Sequence, residues 1–203
     1  MRRLALVALV SFAAVSLSAQ EFSAVWKAPD VTRLNFAGKK VAALVITDDQ
    51  QLQMSAEEAL GRELTALGVN GTATYRIVPR EELKSAESAK GWYERSGVEG
   101  VVAFRPLSRD TDQVPSVVVW SSGYYQSFWG YYGYGWNNVY VAPVSTGRTT
   151  TTIVVETLVY DLTRDALVWA ATSQTRDPKN LQDFVHDLVR ATVSEMRKMK
   201  FVG

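Results

Sequence analysis

The first half of the chain alternates apolar runs with amphipathic segments. Residues 40–47 (KVAALVIT) are almost continuously apolar and rich in β-branched side chains, which predicts a strand buried on both faces. Ser55 and Glu58 have the spacing of a helix-capping box, in which the hydroxyl and the carboxylate satisfy each other's backbone amides. Ala56, Ala59, Leu60, Leu64 and Leu67 then recur at three and four residues, so a helix is expected to lay one apolar stripe on a sheet before stopping at Gly68. Residues 72–78 predict a second strand. Pro79, Glu81 and Glu82 open a more polar helix ending near Gly97, and residues 100–105 predict a third strand. Strands separated by helices of this length need parallel neighbours and right-handed crossovers.

The pattern changes after Pro106. Residues 115–121, 138–144, 149–162 and 166–175 are β-rich without helical spacers, so antiparallel hairpins are expected, the last turning at Thr163, Arg164 and Asp165. Glu156 shares a strand face with Val154, Leu158 and Tyr160, which suggests an edge or rim position. Between residues 180 and 200, Leu181, Phe184, Val185, Leu188, Val189, Thr192, Met196 and Met199 form one helical face, with Arg197, Lys198 and Lys200 where the helix dipole favours positive charge. Residues 20–38 show no periodicity and suggest an extended lead-in docked through Trp26. The expected fold is α+β: a single mixed β-sheet built as β-α-β-α-β, then antiparallel hairpins and a C-terminal amphipathic helix, with helices mainly on one face. Residues 20–203 form one domain, with a Gly/Tyr/Trp-rich insertion at about 122–140.

Arg2 and Arg3, an apolar run over residues 4–15 and the small residues Ser18 and Ala19 together suggest a secretory signal peptide over residues 1–19. The expected location is therefore periplasmic or secreted. The 203 residues include no cysteine, which excludes disulfides, thiolate metal sites, a cysteine nucleophile and a lipid-modified N-terminal cysteine. With 22 Lys+Arg against 21 Asp+Glu and no basic cluster, the chain has no electrostatic footprint for nucleic acid. Membrane contact is expected to be peripheral at most.

Residues 124–140 read YYQSFWGYYGYGWNNVY, nine aromatic residues in seventeen positions, interleaved with Gly130, Gly133 and Gly135. Glycine at that density weakens regular structure, and a loop of that length cannot bury so many rings. The segment is expected to be a long hairpin or Ω-type loop, and three readings stay open for it: it folds its own rings over the sheet with hydroxyls reaching water; it presents Tyr124, Tyr125, Phe128, Trp129, Tyr131, Tyr132, Tyr134 and Trp136 to an envelope protein partner or to a second copy of the chain, since tyrosine and tryptophan dominate contact hot spots; or it meets a carbohydrate or a membrane interface.

Catalytic chemistry finds little to build on. His186, the sole histidine, lies off the apolar stripe of its helix and is expected on the surface. No G-x-S-x-G elbow accompanies it, and no second histidine is present for a zinc site. Arg105, Arg109, Asp110 and Asp112 suggest a solvated polar loop. Asp48 and Asp49 follow the first strand and precede a helix, where α/β folds place ligands, so they are the candidate ligand-binding pair. They also suit simple strand termination. No catalytic residue, metal or cofactor is expected. The leading functional expectation is a non-catalytic binding or assembly protein acting through the aromatic loop; the alternative is a small-molecule or carbohydrate binder, or a hydrolase, using Asp48 and Asp49.

The early tryptophan, KVAALVI at residues 40–46, GVEGVVAFR at 97–105 and the hairpin from Glu156 to Thr175 resemble a group of bacterial envelope proteins of unknown function. Their architecture is similar to the periplasmic α/β domain of the curli-export lipoprotein CsgG and the amino-terminal domain of TolB. The resemblance implies location and fold; its motifs are structural, and it implies no catalytic residues.

Overall fold

A computed structural model describes residues 22–29, 34–107, 117–140, 152–176, 178 and 180–202. The fold is α+β, built on one mixed six-stranded sheet in the order β1-β6-β5-β4-β2-β3. Its strands are β1 (Phe22–Lys27), β2 (Lys40–Val45), β3 (Asn70–Ala73), β4 (Gly100–Leu107), β5 (Thr152–Asp161) and β6 (Ala166–Arg176). The helices are α1 (Gln50–Ala66), α2 (Ala86–Arg95), the single turn α3 (Val117–Trp120), α4 (Phe128–Asn137) and α5 (Leu181–Lys198). β2 runs parallel to β3 and β4, while β4, β5, β6 and β1 pair antiparallel. The stretch expected as a lead-in is thus the edge strand β1, and Phe22 packs edge-on against Trp169 at 5.3 Å.

Period-two alternation sends the strand side chains into two cores. Val41, Ala43, Val45, Val102 and Phe104 pack beneath α1 and α5 with Leu60, Leu64, Phe184 and Leu188. Ala42, Leu44, Ile46, Ala103 and Leu158 face the opposite way, against Tyr93 of α2 and Phe128, Tyr131, Tyr132 and Trp136 of α4. Helices therefore cover both faces of the sheet, which corrects the expectation of one covered face. Strands apolar on both sides need two lids, and the aromatic segment supplies the second.

Several local expectations also shift. α1 begins at Gln50, capped by Asp49, whose carboxylate accepts the Leu52 N–H at 3.0 Å. Ser55 lies within the helix and donates to the Leu52 carbonyl, so the capping box at Ser55 does not form. β3 ends at Ala73 and passes into a 3-10 turn (Thr74–Arg76). α2 starts six residues or more after the expected point, capped by Ser85. α5 falls within the helix expected over residues 180–200, with Asn180 as its cap. Residues 117–120 are helical and 138–140 carry no strand, in contrast to the two strands expected there. Residues 115–116 and 141–144, the leader over residues 1–19, and Arg109, Asp110 and Asp112 lie outside the described residues.

Candidate functional site

The aromatic segment is not a loop. Ser122 precedes a 3-10 turn (Gly123–Gln126), and Ser127 then caps α4, its hydroxyl accepting the Gly130 N–H. Tyr125, Phe128, Tyr131, Tyr132 and Trp136 are buried in the single chain. Their exposure to a partner is corrected: they form the core of the second face. Tyr132 and Phe128 pack around Tyr93 of α2, and Tyr131 stacks on Tyr160 of β5 at 5.6 Å. Tyr124, Trp129 and Tyr134 keep part of their surface, and Tyr124 lies flat on Tyr134 with ring centres 3.7 Å apart.

Beneath these rings sits a buried ion pair. Glu156 is 0% exposed and Arg105 5%, so neither the rim position expected for the glutamate nor the solvated loop expected for the arginine holds. Glu156 Oε1 accepts Arg105 Nε at 3.2 Å and Nη2 at 3.1 Å, while Oε2 accepts the Tyr125 hydroxyl at 2.6 Å and the Trp120 indole N–H at 3.1 Å. Both carboxylate oxygens are thereby satisfied, as a buried charge requires. Burial, and then the Glu156 charge, hold the Tyr125 hydroxyl far above its ordinary pKa. Arg105, Glu156, Tyr125 and Trp120 hold one another, so the cluster staples β4 and β5 to the aromatic layer.

The opposite face offers an opening. Between α1 and α5, at the C-terminal ends of β2 and β4, lies a groove of about 360 Å³. Val45, Phe104, Pro106 and Val155 of the sheet form its floor, with Ala56 of α1 and Phe184 and Leu188 of α5 as walls. Thr47, Asp48, Asp49, Tyr140 and Thr152 are its polar lining. The expected ligand pair thus reaches the groove, with both carboxylates already engaged: Asp48 is 2.6 Å from Lys84 Nζ, and Asp49 caps α1. The Tyr140 hydroxyl is buried with no hydrogen-bond partner among the described residues. Leu181, 45% exposed, and Val185 continue the apolar wall into an adjoining surface groove where His186 sits exposed.

A residue that sequence reading passed over lies beside the groove. Glu57 follows Ala56 and is fully buried, its carboxylate accepting Val45 N–H at 3.0 Å, Tyr75 N–H at 2.8 Å and Gln53 Nε2 at 3.1 Å. It ties α1 to the ends of β2 and β3, and burial lifts its pKa to about 7 against the pull of those hydrogen bonds. Its position among the helix's alanines and leucines was the available signal, since a carboxylate beside an apolar stripe needs internal partners. Among the described residues no group of three or more histidines, aspartates or glutamates is arranged to hold a metal ion, and no helix is long and apolar enough to cross a membrane.

No known protein family and no curated protein matches the chain. Among solved structures it is similar to the PelC dodecamer from Paraburkholderia phytofirmans, at 15% identity and a TM-score of 0.42, over 82% of this chain and 88% of that one. A point variant of the same dodecamer aligns at 15% identity and a TM-score of 0.45, over 82% of this chain and 91% of that one.

Proposed function

We propose that this protein is an exported cell-envelope protein that binds rather than catalyses, and that its ligand is a small, largely apolar molecule held between α1 and α5. The observation that carries the reading is the groove: about 360 Å³, walled by aliphatic and phenyl side chains, with a few polar groups at one side. That size and lining are the usual character of a small-molecule site, and the ends of parallel strands are the usual place for one. Because Asp48 and Asp49 are engaged by Lys84 and the α1 N-terminus, they shape the rim and leave no free carboxylate pair for hydrolysis. The N-terminal run that resembles a signal peptide supports export.

The test is titration of the purified chain with 1-aminoanthracene, whose emission rises in apolar surroundings. Leu52 and Val185 line the groove and are only partly buried, so Leu52→Trp and Val185→Trp fill it without disturbing the floor. Saturable binding weakened tenfold or more by both variants supports the reading; binding unaffected by either, with the fold intact by circular dichroism, overturns it.

A second reading keeps an assembly role for what remains outside the aromatic layer. Tyr124 at 36% and Val119 at 41% exposure lie on a surface that carries no charged side chain over residues 117–140. Such a patch favours self-association. Light scattering of Val119→Ser/Tyr124→Ser against the parent chain separates the readings: dissociation of an oligomer supports assembly, and an unchanged mass removes it.

A further inference from the structure

The groove does not end at its apolar wall. Asp49, Leu52, Leu181 and Val185 line both it and the adjoining surface groove, so the two form one trough that passes from an aliphatic and phenyl interior to a polar shelf between α1 and α5. The shelf adds Gln51, Glu58 and Arg62 of α1 with Gln182 and His186 of α5. Ala56 in the interior and Arg62 on the shelf stand six residues apart on one helix, about 9 Å along its axis. A ligand long enough to use both parts is therefore an amphiphile, with its apolar body inside and its head on the shelf.

The chemistry of the head follows from what the shelf leaves unused. Its two carboxylates are engaged: Asp49 caps α1, and Glu58 accepts the Tyr75 hydroxyl at 2.8 Å and Arg76 Nε at 2.6 Å. Burial alone would raise the Glu58 pKa, yet those hydrogen bonds and the charges of Arg76 and Arg62 hold it below the ordinary carboxylate range. Two guanidinium groups thus serve one carboxylate. The side chains of Gln51, Arg62 and Gln182 make no hydrogen bond or ion pair with another described residue, and His186 Nδ1 stands 3.9 Å from Asp187, beyond hydrogen-bonding reach. All four residues carry N–H donors, so the shelf has donors in surplus and one positive charge without a full partner. Resting on the groove reading above, we infer that the trough takes a free medium-chain carboxylate, its chain in the interior and its monoanionic head on the shelf at Arg62 and His186.

The experiment displaces 1-aminoanthracene from the full protein with decanoate, 1-decanol and decyltrimethylammonium, and repeats the displacement on Arg62→Gln/His186→Gln, a change at two exposed positions. Decanoate is expected to compete best on the parent chain. Its preference over decanol, taken as a ratio of dissociation constants, should fall about threefold in the double variant, the scale of one exposed charge contact, and should shrink likewise as salt is raised. A merely structural effect of the substitutions would move decanoate and decanol together and leave the ratio constant. If 1-aminoanthracene binds but the ratio is the same in both proteins, or if decanol or the ammonium competes best, the head site is overturned while the groove stands. If 1-aminoanthracene does not bind, the groove reading falls and this inference with it.

Discussion

The carboxylate of Asp165, in the β5–β6 turn, accepts the backbone N–H of Phe128 at 2.8 Å and the Ser127 hydroxyl at 2.6 Å, and so closes the N-terminus of α4 from another part of the chain. A negative charge there also complements the helix dipole. Asp165 adopts φ of 47°, a left-handed conformation that aspartate tolerates better than alanine. Asp165→Ala therefore loses the cap and strains the turn, and is expected to cost about 1–3 kcal/mol by urea unfolding. Asp165→Gly relieves the backbone and should fall between alanine and the parent. Equal midpoints for all three proteins would show that the cap contributes nothing.

The element types of the first half were legible because their signals are local: β2, α1 and β4 each carry their own periodicity, and α5 its amphipathic face. The aromatic segment was misread because its helix is held from outside. Four of the ten residues from Phe128 to Asn137 are phenylalanine or tyrosine and three are glycine, a composition with poor intrinsic helix propensity. What makes it a helix is the Asp165 cap and the apolar sheet face waiting above Ile46 and Tyr160, neither visible within the segment itself. Asp48 and Asp49 were placed correctly near the strand ends, but the groove they border depends on α5, far along the chain. Glu57 was marked only by its place beside the apolar stripe of α1, and Tyr140 had no periodic signal at all.

Arg105 and Glu156 face each other directly across the β4–β5 register. Because Glu156 also holds Tyr125 and Trp120, Glu156→Ala leaves a guanidinium, a phenol and an indole without their acceptor. A loss of about 3–5 kcal/mol is expected. Arg105→Met alone should be similarly severe, since it leaves the carboxylate buried and uncompensated. The double variant Arg105→Met/Glu156→Leu should cost clearly less than the sum of the two, and chemical denaturation of all four proteins reads that coupling. Additive losses would mean that the two side chains contribute independently.

Glu57 makes stability depend on pH in an unusual direction. Its unfolded carboxyl ionises near 4.5, while burial keeps the folded one protonated to about 7. Between those values the native state holds the extra proton, so this residue's contribution is full below 4.5, declines as pH rises by about 3 kcal/mol in total, and is level above 7. Urea midpoints measured from pH 4 to 8 for the parent and Glu57→Gln isolate the effect from other carboxylates. The difference between the two proteins should drift through this window in favour of the glutamine variant as pH rises; a constant difference would mean that Glu57 is ionised throughout.

The glycines of α4 are expected to divide sharply. At Gly133 a methyl group would sit 3.8 Å from the Ala86 side chain, an ordinary contact, and the backbone is helical. Gly133→Ala should therefore stabilise by about 0.5–1 kcal/mol through helix propensity and a less mobile unfolded chain. At Gly135 the same methyl would come within 2.5 Å of Ile46 Cδ1, where α4 presses directly on the end of β2. Relieving that overlap means lifting the helix from the sheet or forcing Ile46 from its rotamer, so Gly135→Ala should destabilise by about 1–3 kcal/mol despite the same gain in propensity. Thermal melts of the two variants distinguish a helix packed on the sheet from an exposed aromatic loop. In an exposed loop both substitutions would be close to neutral, whereas opposite signs require Gly135 to be the point of closest approach.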